Sequence, residues 1–302
     1  MSASPLRVRV PASTSNLGPG FDLLGVALSL RLEVHAVPGG SGLRLASLAG
    51  EAETWPRRDN LLLRAFEEAR GADARGWSFE VASEIPICRG LGSSAAAVAA
   101  GLLLGAAAGA TNAPRAELLA RGLALEGHPD NIAPALFGGA RLCVPRAHAG
   151  PHLLCQTVHP SLGWAVAWPE VQVSTGVARA ALPAQVAFDD AVENPRRLAL
   201  LLDGLRGGDP ERIADGLADR LHAAYRLALV PGADTVLAAA REAGAFGATV
   251  SGSGSAHVAI GPRARMAEVA EAMAAAWRSA TGTGRGTAVE VVGEAPAVEP
   301  SE

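Results

Sequence analysis

The stretch Pro86-Ile87-Cys88-Arg89-Gly90-Leu91-Gly92-Ser93-Ser94-Ala95-Ala96 joins two glycines and two hydroxyls to the start of an alanine-rich helical run. Upstream, Trp77 to Ser83 has the composition and alternation of a strand, which Pro86 and Gly90 terminate in a turn. Downstream, alanine is the best intrinsic helix former, so the spacing predicts a helix opening at Ser93. Such an opening leaves unpaired amides and the positive end of the macrodipole facing outward, and glycines let a phosphate come close to the backbone. Ser93 or Ser94 also has a hydroxyl able to ligate magnesium. The same residues also describe an ordinary tight turn with Ser93 as helix cap, the commoner reading of a Gly/Ser loop, and both readings stay open on this segment alone.

Working outward, Leu6 to Ala12 and Val26 to Val37 alternate as half-buried strands. A helix is expected from a cap at Asp59 through Arg70, with Gly71 as its stop, and another from Pro114 to Leu125. Strands are expected near Arg141–Val144, Leu153–His159 and Trp164–Trp168. The second half is mainly helical, at Thr175–Leu182, Asn194–Leu205, Pro210–Leu227 and Pro231–Ala243. It closes with strands at Ala248–Ser251, His257–Ile260 and Ala288–Val292 around a helix at Ala264–Ser279. This order predicts an α+β chain of two domains, 1–160 and 161–302, with a boundary near Pro160 and a frayed tail from Gly293.

Composition narrows the function. With 302 residues, 49% hydrophobic and 19% charged, the chain belongs with globular proteins. A formal charge of -4 argues against nucleic acid as principal partner. All 26 basic side chains are arginine, so mechanisms that need a lysine amine, including the Walker A and protein-kinase types, are excluded. Cys88, Cys143 and Cys155 form no CxxC pair, which fits a reducing compartment without a zinc cage. Ala95 to Ala110 is uncharged but shorter than the roughly 20 residues that span a bilayer, and reads as a buried helix. No secretory pattern opens the sequence, and the expected location is cytoplasmic, without membrane.

Three further segments hold candidate chemistry. Ser251-Gly252-Ser253-Gly254-Ser255 lies between two strands, the wrong context for a dinucleotide fingerprint, and reads as a hairpin or as a nest of amides facing a ligand. Glu126-Gly127-His128-Pro129-Asp130-Asn131 spaces two carboxylates four residues apart, oxygen donors of the kind Mg²⁺ takes together with substrate phosphates. Asn16-Leu17-Gly18-Pro19-Gly20-Phe21-Asp22 sets two polar side chains among turn formers.

Taken in order, Pro11 to Asp22, Pro86 to Ala96 and Ser251 to Ser255 resemble the three motifs of the GHMP family of small-molecule kinases. The Glu126–Asn131 run, Ser174–Arg179 and Arg220–Arg226 resemble the branch that phosphorylates L-homoserine, on the route to threonine. The resemblance implies the GHMP kinase two-domain fold, with an N-terminal domain like ribosomal protein S5 domain 2, a ferredoxin-like C-terminal domain, and ATP between them. It also implies a homodimer. Ser255 stands where the third motif usually has proline.

Carried over residue by residue, the resemblance implies that Pro86, Ile87, Cys88, Arg89, Gly90, Leu91, Gly92, Ser93, Ser94, Ala95 and Ala96, with Gly252, Ser253 and Gly254, bind ATP. Ser94 and Glu126 would hold Mg²⁺. Asn16, Asp22, His128, Asn131, Thr175, Arg179 and Arg226 would bind the amino acid, with Asn16, Asn131, Arg179 and Arg226 serving the reaction. Homoserine's carboxylate suits the forked donors of Arg179 and Arg226, its ammonium suits Asp22, and Asn16 would position its hydroxyl. Where mevalonate kinase has an aspartate base this chain has Asn131, whose amide accepts no proton. The competing expectations are a kinase of another small alcohol on the same fold, mevalonate-like, and a silent anion- or RNA-binding protein on an S5-like scaffold.

Overall fold

The first alternation forms β1 (Leu6–Asn16), which turns directly into a long antiparallel partner, β2 (Gly20–Pro38). The computed structural model describes residues 4–39, 42–57, 59–71, 74–109, 111, 113–147 and 149–301. β3 (Arg44–Gly50) is followed by α1 (Leu61–Arg70) and β4 (Trp77–Ser83), and β4 pairs antiparallel with β2 and parallel with β3. Then come α2 (Ser93–Ala108), α3 (Arg115–Glu126), α4 (Pro129–Phe137) and the hairpin β5 (Ala140–Arg146) and β6 (Ala149–Gln156), with β5 lying on β2. Along β1 the alternation ends at Arg9, because every residue from Val10 to Asn16 is buried. The helices α2 and α4 pack against this end of the sheet.

The second half begins with β7 (Leu162–Trp168) and continues through α5 (Thr175–Ala180), α6 (Phe188–Gly207), α7 (Pro210–Gly216), α8 (Ala223–Leu227) and α9 (Ala233–Glu242). It ends with β8 (Gly247–Val250), β9 (His257–Pro262), α10 (Met266–Thr281), β10 (Arg285–Val289) and β11 (Val298–Pro300). β10, β7, β9 and β8 form an antiparallel sheet in that order. The period-2 geometry of β7 divides its side chains between two cores. Trp164, Val166 and Trp168 join the large core of the first half, while Ala165 and Ala167 face Val236, Met273 and Trp277 of α9 and α10. Among the described residues no helix is long and apolar enough to cross a membrane.

Several expectations change; the expected Ala288–Val292 strand, for one, runs over Arg285–Val289, and the Asn194–Leu205 helix over Phe188–Gly207. Asn60, not Asp59, caps α1, its side chain accepting from the Leu62 amide at 2.9 Å. The helix expected over Pro210–Leu227 breaks after Gly216, and α8 restarts where the Asp219 carboxylate collects the amides of Leu221, His222 and Ala223. The tail is not frayed: Val298 to Pro300 pairs with Val8 to Leu6, and Glu299 meets Arg7 at 2.7 Å, closing the open edge of β1. The sixth strand is Ala149–Gln156, not Leu153–His159, in the register its pairing with β5 sets. The elements β3 and α4 have no counterpart in the periodicity, since the two prolines of α4 mask its helical pattern.

Helix α2 is buried all round from Ala95 to Ala106, as a run without an amphipathic stripe must be. It approaches α1 at Gly101 and Gly105, where a Cβ would lie 2.3 Å from the Leu62 carbonyl oxygen and 2.5 Å from that of Phe66. Gly101→Ala therefore sets a helix-propensity gain of about 1 kcal/mol against backbone overpacking that costs about 1–3 kcal/mol. Overpacking wins, since a backbone carbonyl has no rotamer to swing, and urea unfolding should show a lower midpoint. His257, packed edge-on to Trp277 at 5.0 Å, is held at about 4 by burial, from an ordinary value of 6.5. The unfolded chain then binds the proton more readily, so stability is full above pH 6.5 and falls as pH drops toward 4. Unfolding followed across that window should lose this slope in His257→Phe.

Candidate active site

At the end of β4 the chain enters the glycine turn in left-handed backbone, with φ +84° at Gly90 and +71° at Gly92. Neither position has room for a side chain. A Cβ on Gly90 would stand 2.1 Å from the Ser251 carbonyl oxygen, and one on Gly92 would stand 2.1 Å from Ser13 Oγ. No side chain caps the first turn of α2, whose amides are left for a ligand. The turn borders a cavity of about 470 Å³, within the range of small-molecule sites.

Of the eleven loop residues read as ATP-binding, Cys88, Gly90, Gly92, Ser93, Ser94 and Ala95 line this cavity. Pro86, Ile87, Arg89, Leu91 and Ala96 do not. Leu91 and Ala96 are buried in the core. Arg89 turns away and ties the loop to the second half, donating from Nε to the Pro169 carbonyl (2.8 Å) and from Nη2 to Glu170 Oε2 (3.0 Å). Gly252 and Ser253 reach the cavity and Gly254 does not. The Ser251–Ser255 segment joins β8 to β9 as a hairpin, and its polar atoms also clamp the other motifs. Ser251 Oγ donates to the Gly90 carbonyl (2.7 Å) and lies 2.8 Å from the Thr14 hydroxyl, while the Gly252 amide donates to the Ser15 carbonyl (3.1 Å).

Across from the turn, the Glu126 carboxylate accepts a short hydrogen bond from Ser94 Oγ. Burial lifts Glu126 above the ordinary carboxylate range, and the Ser94 hydroxyl offsets part of that rise. A hydroxyl and a desolvated carboxylate beside an anion cradle fit a divalent ion that shares its shell with phosphates and water. Among the described residues there is no cluster of three or more His, Cys, Asp or Glu that could hold a metal by itself. His128 Nδ1 lies 3.2 Å from Asp130 Oδ1, an ion-pair distance without hydrogen-bond alignment, and Asp130 raises the imidazole above its usual range.

The remaining wall is held by amides and arginines. Asn131 accepts from Ser13 Oγ and donates to Ser15 Oγ, both at 2.9 Å. Asn16 donates from Nδ2 to the Gly252 carbonyl and accepts the Asp22 amide, both at 3.0 Å. Asp22 and Arg179, expected to take opposite ends of an amino acid, are joined to each other by two hydrogen bonds of 2.7 and 2.8 Å. Arg226, 3% exposed, donates to the Gly252 carbonyl at 2.7 Å and keeps a buried Nε without a partner. Thr175 follows Ser174, which caps α5, and His128 and Thr175 also border the cavity.

The expected amino-acid residues and the helix opening thus share one cavity. Ser13 and Ser15, to which the motif by itself assigns no role, lock Asn131. Their signal was present: Ser13-Thr14-Ser15 continues an apolar strand with three hydroxyls, and buried hydroxyls require partners.

Residues 60–139 match the model of the GHMP kinases N terminal domain, and residues 201–279 match that of the GHMP kinases C terminal region. The chain is similar to the homoserine kinase of Synechococcus sp., 40% identical over 279 residues and 91% of each chain. It is similar to that of Moorella thermoacetica, 43% identical over 278 residues, 89% of this chain and 92% of that protein. Among solved structures it is similar to a homoserine kinase from Cytophaga hutchinsonii, with a TM-score of 0.86, 28% identity and 98% of each chain covered.

Gly92 offers a test of the cradle's packing. A side chain at Gly92 would meet Ser13 Oγ at 2.1 Å from its Cβ, so Gly92→Val should disturb the packing and the anion site together. Even Gly92→Ala combines left-handed backbone strain with overpacking, together about 2–5 kcal/mol. A lower melting temperature together with weaker nucleotide binding is expected from thermal shift with and without ATP; unchanged stability would contradict this geometry.

Proposed function

We propose that this chain, which belongs to the GHMP kinase family and within it to the homoserine kinases, transfers the γ-phosphoryl group of ATP to the side-chain hydroxyl of L-homoserine, releasing ADP and O-phospho-L-homoserine. The observation that carries the reading is that the uncapped opening of α2 and the Asp22–Arg179–Arg226 group border one cavity. Anion binding and amino-acid binding are thereby within reach of a single transfer.

In this reading the amides from Gly90 to Ala95 cradle the triphosphate and the α2 dipole supplies positive potential that no lysine provides. Ser94 and Glu126 would hold Mg²⁺, which neutralises phosphate charge when bound. Arg179 and Arg226 grip the carboxylate of the acceptor, and Asp22 exchanges part of its bond to Arg179 for the ammonium. Asn16 and Asn131, their amides fixed by Gly252, Asp22, Ser13 and Ser15, set the position of the hydroxyl, with His128 and Thr175 closing the pocket. No side chain is assigned the role of general base. A loose phosphoryl-transfer transition state depends chiefly on alignment and charge neutralisation, which the fixed amides, the arginines and the helix opening supply. The same reading assigns residues 1–160 to ATP binding and 161–302 to the ferredoxin-like domain. It makes the enzyme a cytoplasmic homodimer, a state that sedimentation equilibrium checks.

ADP release should require L-homoserine, and its absence with that acceptor, or equal turnover with mevalonate, would overturn the assignment. Arg179→Met should raise the KM for L-homoserine by about 10- to 100-fold, the loss expected of a charge-assisted bidentate contact. The KM for ATP should stay close to wild type in the same steady-state assay.

A further inference from the structure

Both arginines of the amino-acid end stand over one aromatic ring. Arg226 Cζ lies 4.9 Å from the centroid of Phe21, and Arg179 Cζ lies 5.6 Å from it. The His222 ring packs on Phe21 as well, with centroids 5.0 Å apart and planes tilted by 36°. His222 is itself immobilised. Its Nε2 donates to the Gly18 carbonyl at 2.7 Å, and Asp219 gathers the amides at the start of its helix. The ring therefore rests on a rigid, uncharged support: burial pulls His222 below its usual range, and its Nε2–H is committed to Gly18.

The electrostatics give the ring a task. Two guanidiniums directed at one anion repel each other until the anion arrives, and desolvation, then Arg179, both pull Arg226 below its ordinary value. Asp22 gives both its oxygens to Arg179, so Arg226 is left with the neutral carbonyl of Gly252 as its hydrogen-bond acceptor. An aromatic face attracts cations through its quadrupole, most strongly where water is excluded, as it is from Arg226.

We propose that Phe21 is a positioning residue for the acceptor carboxylate: its ring is a common platform, braced by His222, that holds Arg179 and Arg226 at the spacing needed to grip one carboxylate. The proposal rests on the homoserine kinase reading above. An aliphatic side chain of similar bulk would fill the space without offsetting the charge repulsion.

Steady-state kinetics on the full chain test it. Phe21→Leu should raise the KM for L-homoserine by about tenfold, with kcat and the KM for ATP within about twofold of wild type. Phe21→Tyr should restore the wild-type KM. In an Arg179→Met background the effect of Phe21→Leu should shrink, because one of the two groups it serves is gone. Phe21→Met, equally without a ring, takes the place of Phe21→Leu if that variant does not fold. An unmoved KM for L-homoserine overturns the platform alone. So does an equal rise in the KM for ATP, or a shift that persists in full beside Arg179→Met, since each marks a merely structural role. A wild type that does not turn over L-homoserine overturns the functional reading and the platform with it.

Discussion

The main chain of three distant segments approaches more closely in this protein than side chains would permit, and the site is built on that approach. Gly90 lies against the Ser251 carbonyl, Gly92 lies against Ser13, and the Gly252 amide bonds the Ser15 carbonyl. Backbone polar groups buried at such a junction must find partners, and they find one another. The Gly252 carbonyl shows the economy of the arrangement: it accepts both from Asn16 and from Arg226, so one oxygen fixes two residues from opposite halves of the chain. A side chain added at Gly90 or Gly92 would separate segments that hold each other in place.

A kinase without lysine must find positive potential elsewhere. In the proposed reading it comes from the uncapped amides at the start of α2, where the positive end of the helix dipole meets the cavity. In the same reading, burial of Glu126 would favour a cation bound beside it. A carboxylate lifted above its ordinary range by desolvation lowers its free energy by sharing a cation, and the Ser94 hydroxyl beside it is the donor already engaged. The arginines complete the set, being charged at every pH the enzyme meets and shaped to meet a carboxylate in two places.

Holding such a site requires the two halves to move as one. Alternate residues of β7 serve different cores, so the strand belongs to both, and Trp164 and Val258 are packed in the core that also contains α2. Arg89, from the glycine turn itself, reaches the Pro169 carbonyl and Glu170 just beyond β7. The C-terminal strand returns to pair with β1. The proposed site thus rests on a joint made by burial and by main-chain hydrogen bonding together.

Local chemistry made part of this legible in the sequence. The β4–turn–α2 unit is written in short-range terms, alternation, then glycine, then alanine, and the helix begins at Ser93 where those terms place it. The same holds for the lysine-free composition, whereas the bond between Asp22 and Arg179 appears only in the fold. Long-range packing decided the rest. No periodicity says that Arg89 is buried against Pro169 and Glu170 while Cys88 and Gly90 face the cavity, that Asn131 is locked by two serines more than a hundred residues earlier, or that Phe21 carries two arginines. Nor does it show that a proline-rich tail closes the edge of the first strand. These depend on which segments meet. A side chain's partners across the fold are set by burial and steric fit among residues far apart in the chain, whereas helix openings and strand alternation are set by neighbours a few residues away.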